Sequence, residues 1–348
     1  MEYNWLLDDT AFAKEFVTRI ENLLHRGFKA QFVIHYSASR TRAIELFNAC
    51  GLLIFNRNVI WHYYDFYDEN MFGLSICQFN HALALTTLSV NNKSITFAYT
   101  DQAQVLPIAN ISQNIIEKCH HLFNNIPLTC LSPALKEFYH YRQRCAFYSY
   151  LPSPAFLLGK RELLAEILTA NNVTGNMREL CLHLNQNYRE ATSPYLDESV
   201  PYPPPVFYIF QLEEMEERAH AVPFISRSLS LLTDQPIQIT PHQYAEELRD
   251  LANTLMCQDN VQIILVSKKD KLPLPAINCW CREHSWMLQM DRDGFRQTDE
   301  MAMISAASTV FEQCIHKVPP ARKEKLAVHR YLLSLADELD GKPLQLII

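Results

Sequence analysis

The chain has 348 residues, 48% of them apolar, with 31 basic and 38 acidic side chains giving a formal net charge of -7. That is enough to build a sizeable core, expected to divide between two domains, and disorder is not the default reading. The dispersed basic residues supply no positive field for a phosphate backbone, so direct nucleic-acid binding by this chain is disfavoured.

Seven glycines against 18 prolines, with neither G-x-G-x-x-G nor G-x-x-x-x-G-K-[ST], count against nucleotide folds built on glycine-rich loops. No cofactor is expected. The start, Met1-Glu-Tyr-Asn-Trp-Leu-Leu-Asp-Asp, has no basic segment leading an apolar one, and no apolar run is long enough to cross a bilayer. The expected location is the cytoplasm, with no membrane partner. The 10 cysteines read mainly as buried reduced thiols, because a chain of this size has a core and lacks the dense cysteine spacing of small secreted scaffolds.

In chain order, Asp8 or Asp9 caps a helix with apolar Phe12, Phe16, Ile20, Leu23 and Leu24, stopped by Gly27. Ala30 to Tyr36 reads as a buried strand and Ser37-Ala-Ser-Arg as a polar turn. A helix from Thr41 to Cys50 then ends before Gly51. Strands follow at Val59–Phe66, Ala82–Ser89 and Ser94–Tyr99, the last two joined by a hairpin through Asn91-Asn92, and a helix runs from Ser112 to Phe123.

Residues 134 to 184 look mostly helical around an extended Phe147-Tyr-Ser-Tyr-Leu-Pro, and the cluster Ser199 to Pro205 reads as a linker. Thr240 caps a helix to about Met256 whose Tyr244, Leu248, Leu251 and Leu255 share a face. Strands at Val261–Val266, Ala276–Cys281 and Trp286–Met290 precede helices at Thr298–His316 and Arg322–Leu339. This order echoes the first part of the chain.

Three stretches could carry chemistry. His35-Tyr-Ser-Ala-Ser-Arg-Thr-Arg leaves a strand end and enters a helix, where anions dock; Ser37, Ser39, Arg40 and Arg42 would then hold a small anionic or phosphorylated ligand. The plainer reading is that a serine caps the helix beside solvated arginines. In Trp61-His-Tyr-Tyr-Asp-Phe-Tyr, alternation places Trp61, Tyr63 and Asp65 on one face and His62, Tyr64 and Phe66 on the other, which suits a ligand pocket, a protein interface or a buried strand.

Cys279-Trp-Cys-Arg-Glu-His284 has three possible zinc ligands but no second hook, so its cysteines read as core. His120, His121 and Cys130 read as packing and surface residues, and Glu213-Glu214 with Glu216-Glu217 as a solvated charge run. No catalytic or metal-binding motif is assembled.

The run from Asp8 through Leu23-Leu-His-Arg-Gly-Phe-Lys-Ala-Gln-Phe-Val-Ile-His, followed by Trp61 to Tyr67, resembles the effector region of helix-turn-helix transcriptional regulators from Gram-positive anaerobes. Pro241 to Asp250 with Asn260 to Val266 resembles the second half of the same region. The effector region in turn resembles a degenerate phospholipase D-like domain. An active member would carry His-x-Lys, whereas His81-Ala-Leu-Ala-Leu has no lysine two positions on.

The resemblance implies an α/β chain of two mixed-sheet lobes. Residues 1–135 would be the first, phospholipase D-like lobe, 136–205 a helical connector ending in the proline-rich linker, and 206–348 a second lobe, a related copy. It further implies a non-catalytic ligand-sensing or protein-interaction module in transcriptional regulation, with the DNA-binding part absent from this chain and a protein partner or homodimer as a further possibility. The expected pocket gathers His35, Ser37, Ser39, Arg40, Arg42, His62, Tyr64 and His81. The alternatives are a phosphodiesterase-like enzyme and a protein-binding scaffold.

Overall fold

The computed structural model describes residues 10–35, 40–64, 73–80, 82–90, 93–127, 145–154, 159–192, 204–221, 223–270, 278–291 and 294–341, and elements are numbered over these. The chain is mixed α/β and divides into two compact units, Met1–Phe123 and Asn124–Ile348.

In the first unit, Thr10–His25 forms α1, and Gly27 follows it at φ +88°, a left-handed conformation that costs glycine little. β1 (Ala30–His35) runs parallel to β2 (Val59–Tyr64), with Phe32 opposite Trp61, Val33 opposite His62 and His35 opposite Tyr64. α2 (Arg40–Ile54) makes the crossover.

Both helices lie on the Phe32–Trp61 face of that pair. The Trp61 indole donates to the Leu53 carbonyl at 3.1 Å, Phe32 stacks on Trp61 at 4.7 Å between centroids, and Phe16 of α1 meets Phe32 edge-on. The helix expected to stop before Gly51 bends at Cys50 and continues to Ile54, because burying Leu53 and Ile54 outweighs the cost of one helical glycine.

β3 (Gly73–Phe79), β4 (Leu83–Val90) and β5 (Lys93–Tyr99) form an antiparallel sheet in that order. Val90 pairs with Lys93, so β4 and β5 are joined by two residues, and Asn91-Asn92 themselves lie outside the described residues, as do Asp65 and Phe66. The strand β3 was not among the expected elements.

The expected helix at Ser112–Phe123 is instead α3 (Gln102–Ile116). Asp101 Oδ1 accepts from the Ala103 N–H at 3.0 Å and caps the helix at an earlier point. Its C-terminal portion is not helical either: after Ile116 the chain turns, and β6 (His120–His121) pairs antiparallel with Tyr63 and His62 of β2.

The second unit is built on a seven-stranded sheet ordered β12-β9-β8-β13-β14-β15-β7. Its members are β7 (Asn124–Ile126), β8 (Phe147–Leu151), β9 (Val206–Gln211), β12 (Val261–Val266), β13 (Asn278–Arg282), β14 (Trp286–Asp291) and β15 (Gly294–Thr298). The β8-β9-β12 part is parallel and the rest antiparallel. β10 (Phe224–Ile225) and β11 (Gln238–Ile239) form a small separate ribbon.

Residues 136–205 are therefore not a connector over their described part, since β8 sits between β9 and β13 in the sheet. The described end of the proline cluster belongs to the same unit. The Phe147 N–H donates to the Pro205 carbonyl and Asn260 Nδ2 to that of Pro204, both at 2.9 Å, because proline keeps its acceptor and can head a strand.

Alternation sorts the strand residues into two layers. One core joins Phe147, Leu151, Tyr208, Phe210, Ile263 and Leu265 to α4 (Arg161–Ala170), α5 (Gly175–Thr192), α6 (Leu212–His220), α7 (Arg227–Thr233), α8 (Pro241–Cys257) and α10 (Lys325–Asp340). The opposite face carries Tyr148, Tyr150 and Cys281 against α9 (Met301–Lys317), where Phe311 stacks with both tyrosines and Cys281 meets Ser308.

α8 forms where expected. The Thr240 hydroxyl accepts from the Gln243 N–H at 3.2 Å, the Gln243 carboxamide accepts from the Thr240 N–H at 3.1 Å, and Tyr244, Leu248, Leu251 and Leu255 are all buried.

Candidate functional site

The carboxyl end of the β1–β2 pair is where the expected pocket falls, and of its residues the side chains of His62 and Tyr64 are described. His62 has a side chain 3% exposed, on the face turned away from α1 and α2. Neither of its ring nitrogens meets a hydrogen-bond partner among the described residues. Burial, and behind it the neighbouring His121, lowers its pKa below the ordinary histidine value, so the neutral ring is favoured.

Across β2 and β6 the rings of His62 and His121 lie 4.7 Å apart between centroids, tilted by 42°. On the other face Tyr63 and His120 make a similar contact at 5.3 Å. Tyr64 is half-buried at the end of β2, opposite His35.

His35, Arg40 and Arg42 have described backbone at the end of β1 and the start of α2, and their side chains lie outside the description. Ser37, Ser39 and His81 lie outside the described residues altogether, as does Cys130. His120 and His121 are exposed, in keeping with the expectation of packing and surface residues, and His121 packs its ring on His62. The alternation of β2 marked His62, but its neighbour comes from a two-residue strand that only tertiary pairing reveals.

The second unit holds a different buried group. Glu247, on α8, is 0% exposed and both carboxyl oxygens lack hydrogen-bond partners among the described residues. Burial, reinforced by the charge of Asp250, pushes its pKa up to about 8. Gly159 packs against it, and Asn185 Nδ2 holds the Gly159 carbonyl at 2.9 Å. The sequence did carry a signal, since position 247 lies on the apolar stripe of Tyr244, Leu248 and Leu251.

At the carboxyl ends of β9 and β12, Glu213 accepts from the Ser267 hydroxyl and, at 3.1 Å to each oxygen, from the Lys268 N–H. Burial alone would raise this carboxyl, but hydrogen bonds from Ser267 and from backbone N–H groups bring it below the usual range. Asp270 takes a two-pronged ion pair from Arg322 at 2.7 and 2.8 Å and accepts from the Ser267 N–H at 2.7 Å. Glu213 is thus not part of a purely solvated run. The network ties the exit of β12 to α6 and to the segment before α10, and its polar groups satisfy one another.

Cys279 and Cys281 are fully buried on β13, and His284 is exposed at the following turn, in line with core packing. Burial pushes the Cys281 thiol up to about 12 and the Cys50 thiol likewise, which keeps both protonated. Among the described residues, no group of three or more His, Cys, Asp or Glu is placed to hold a metal, and no helix is long and apolar enough to cross a membrane. No protein-family model, curated protein or solved structure matches the chain.

Proposed function

We propose that the chain is a non-catalytic, cytoplasmic effector module of transcriptional regulation that senses a small ligand at the carboxyl end of the β1–β2 pair. The observation that carries this reading is His62. A buried imidazole with no hydrogen-bond partner among the described residues costs stability, and it lies toward the strand ends where open α/β sheets take ligands. A neutral imidazole offers one donor and one acceptor, which suits recognition of a small polar molecule.

The phospholipase D-like reading with a duplicated lobe draws support from the order of elements. In the first unit β1-α2-β2 is followed by the meander β3-β4-β5 and then α3. In the second, β9 reaches β12 through α6, α7 and α8, and the meander β13-β14-β15 and α9 follow.

The test is a thermal-shift screen of the chain against nucleotides, phosphosugars and small anions, repeated on Arg40→Ala. A ligand selective for the folded state raises Tm by mass action. A shift that the variant loses supports sensing at this edge. No shift with any compound rejects a nucleotide, phosphosugar or small anion as the ligand of this edge.

A protein-interaction role is favoured by one separate observation. Leu88, Ile95 (62% exposed) and Phe97 (45% exposed) share one face of the β3-β4-β5 sheet, by the pairings Leu88 with Ile95 and Thr86 with Phe97. Grouped exposed apolar side chains mark contact surfaces. Light scattering on wild type and on the Ile95→Ser/Phe97→Ser double variant would detect a homodimer and its loss.

A further inference from the structure

His62 and His121 present two imidazoles across adjacent strands, with ring centroids 4.7 Å apart, one ring 3% exposed and the other open to solvent. The buried ring has no hydrogen-bond partner among the described residues at either nitrogen.

An apolar side chain at position 62 would satisfy the packing without burying two polar atoms. What an unpartnered imidazole supplies beyond that is a lone pair, and a borderline divalent cation is bound well by several imidazoles at once. Hard cations such as Mg2+ prefer oxygen and retain water, so they fit this pair poorly.

We propose that His62 and His121 form a two-imidazole binding site for a borderline divalent transition metal such as Zn2+ or Ni2+. This rests on the reading of the β1–β2 carboxyl end as the sensing edge and names the class of ligand it takes. His121 is the solvent-side donor through which the ion arrives, and His62 is the enclosed one. The remaining coordination positions belong to water or a small anion.

The experiment uses the full chain without an affinity tag, stripped with chelator, in the Cys77→Ser/Cys257→Ser background so that the two thiols exposed among the described residues cannot bind the ion. Zn2+, Ni2+ and Mg2+ are titrated by calorimetry and followed by thermal shift, on this chain and on His121→Ala. A second substitution, His62→Leu, keeps the test informative should one variant misfold.

The expected result is Zn2+ or Ni2+ binding that weakens at least about tenfold in His121→Ala and in His62→Leu, with no response to Mg2+. Equal binding by a folded His121→Ala chain overturns the proposal. The small-anion panel on the metal-free chain separates the two readings: anion shifts without any response to Zn2+ or Ni2+ overturn the metal site and leave ligand sensing in place. No response to either class overturns both.

Discussion

Gly159 packs against the carboxyl group of Glu247 so closely that a methyl group on its Cα would overlap Oε2 and stand 2.9 Å from Cδ. The contact fixes the chain after β8 onto α8, and it leaves no room for any residue larger than glycine unless Glu247 moves. Because Glu247 is wholly enclosed, that movement disturbs the core around Tyr244 and Leu248.

Gly159→Ala is therefore expected to destabilise the second unit by about 1–3 kcal/mol. Adding Glu247→Ala removes the overlapping carboxyl, so the two changes together cost less than their sum. Urea unfolding of the single and double variants measures both quantities. Strict additivity would show that the two residues do not press on each other.

The same carboxyl gives the second unit an alkaline weakness. Its pKa rises on folding from the ordinary 4.5 to about 8, so between those limits the folded state holds a proton that the unfolded state releases. Stability from this group is full below pH 4.5, falls by at most ~1.4 kcal/mol per pH unit through the window, and levels off above about pH 8. Glu247→Gln abolishes that slope and gains most relative to wild type at pH 8 and above. Unfolding midpoints across a pH series check it.

Asp270 acts in the opposite sense. The Arg322 hydrogen bonds hold its carboxyl below the ordinary 3.8, so it contributes stability above that pH and loses it as acid protonates the folded carboxylate. Asp270→Asn leaves Arg322 without its charged partner and is expected to cost about 1–3 kcal/mol at pH 7, with the difference from wild type shrinking at strongly acid pH. Parallel denaturation curves at pH 7 and in strong acid read this directly.

His62→Leu should be neutral or stabilising, up to about 1 kcal/mol, although most core substitutions destabilise. It removes two buried polar atoms that have no partner among the described residues and keeps a side chain of packable size. A higher Tm in the absence of any added ligand is the expected outcome. A clear loss of stability would mean that the ring is already satisfied.

Thr240→Ala removes the hydroxyl that accepts from the Gln243 N–H at the start of α8. The expected cost is about 1 kcal/mol, seen as a lower urea midpoint with an unchanged slope.

α8 was legible because its signals are local: a capping threonine, a proline in the first turn, and apolar residues at helical spacing. Locally ambiguous marks misled. Gly51 looked like a helix stop, but the burial of Leu53 and Ile54 carries the helix past it, and Ser112 looked like a helix start although Asp101 caps it earlier. β6 and β7 are too short to show periodicity and exist only through their pairing with distant strands.

The site divides in the same way. His62 stood out by alternation within one strand, whereas its contact with His121 depends on a pairing that no local pattern encodes. Glu247 lies on the apolar stripe of α8 and is enclosed, whereas the neighbouring Glu246 meets Arg249 nearer the surface.

The position of β8 inside the seven-stranded sheet sets an order of assembly. As the chain is made from its N-terminus, Phe147–Leu151 emerges well before β9 on one side and β13 on the other, and Tyr148 and Tyr150 wait longer still for Phe311. Until α9 has left the ribosome, one face of the growing sheet is bare aromatic and aliphatic surface, and its most distant pairings close late. Nascent or prematurely terminated chains lacking α9 are thus clients for a holding chaperone, and raising the rate of synthesis should increase the insoluble fraction.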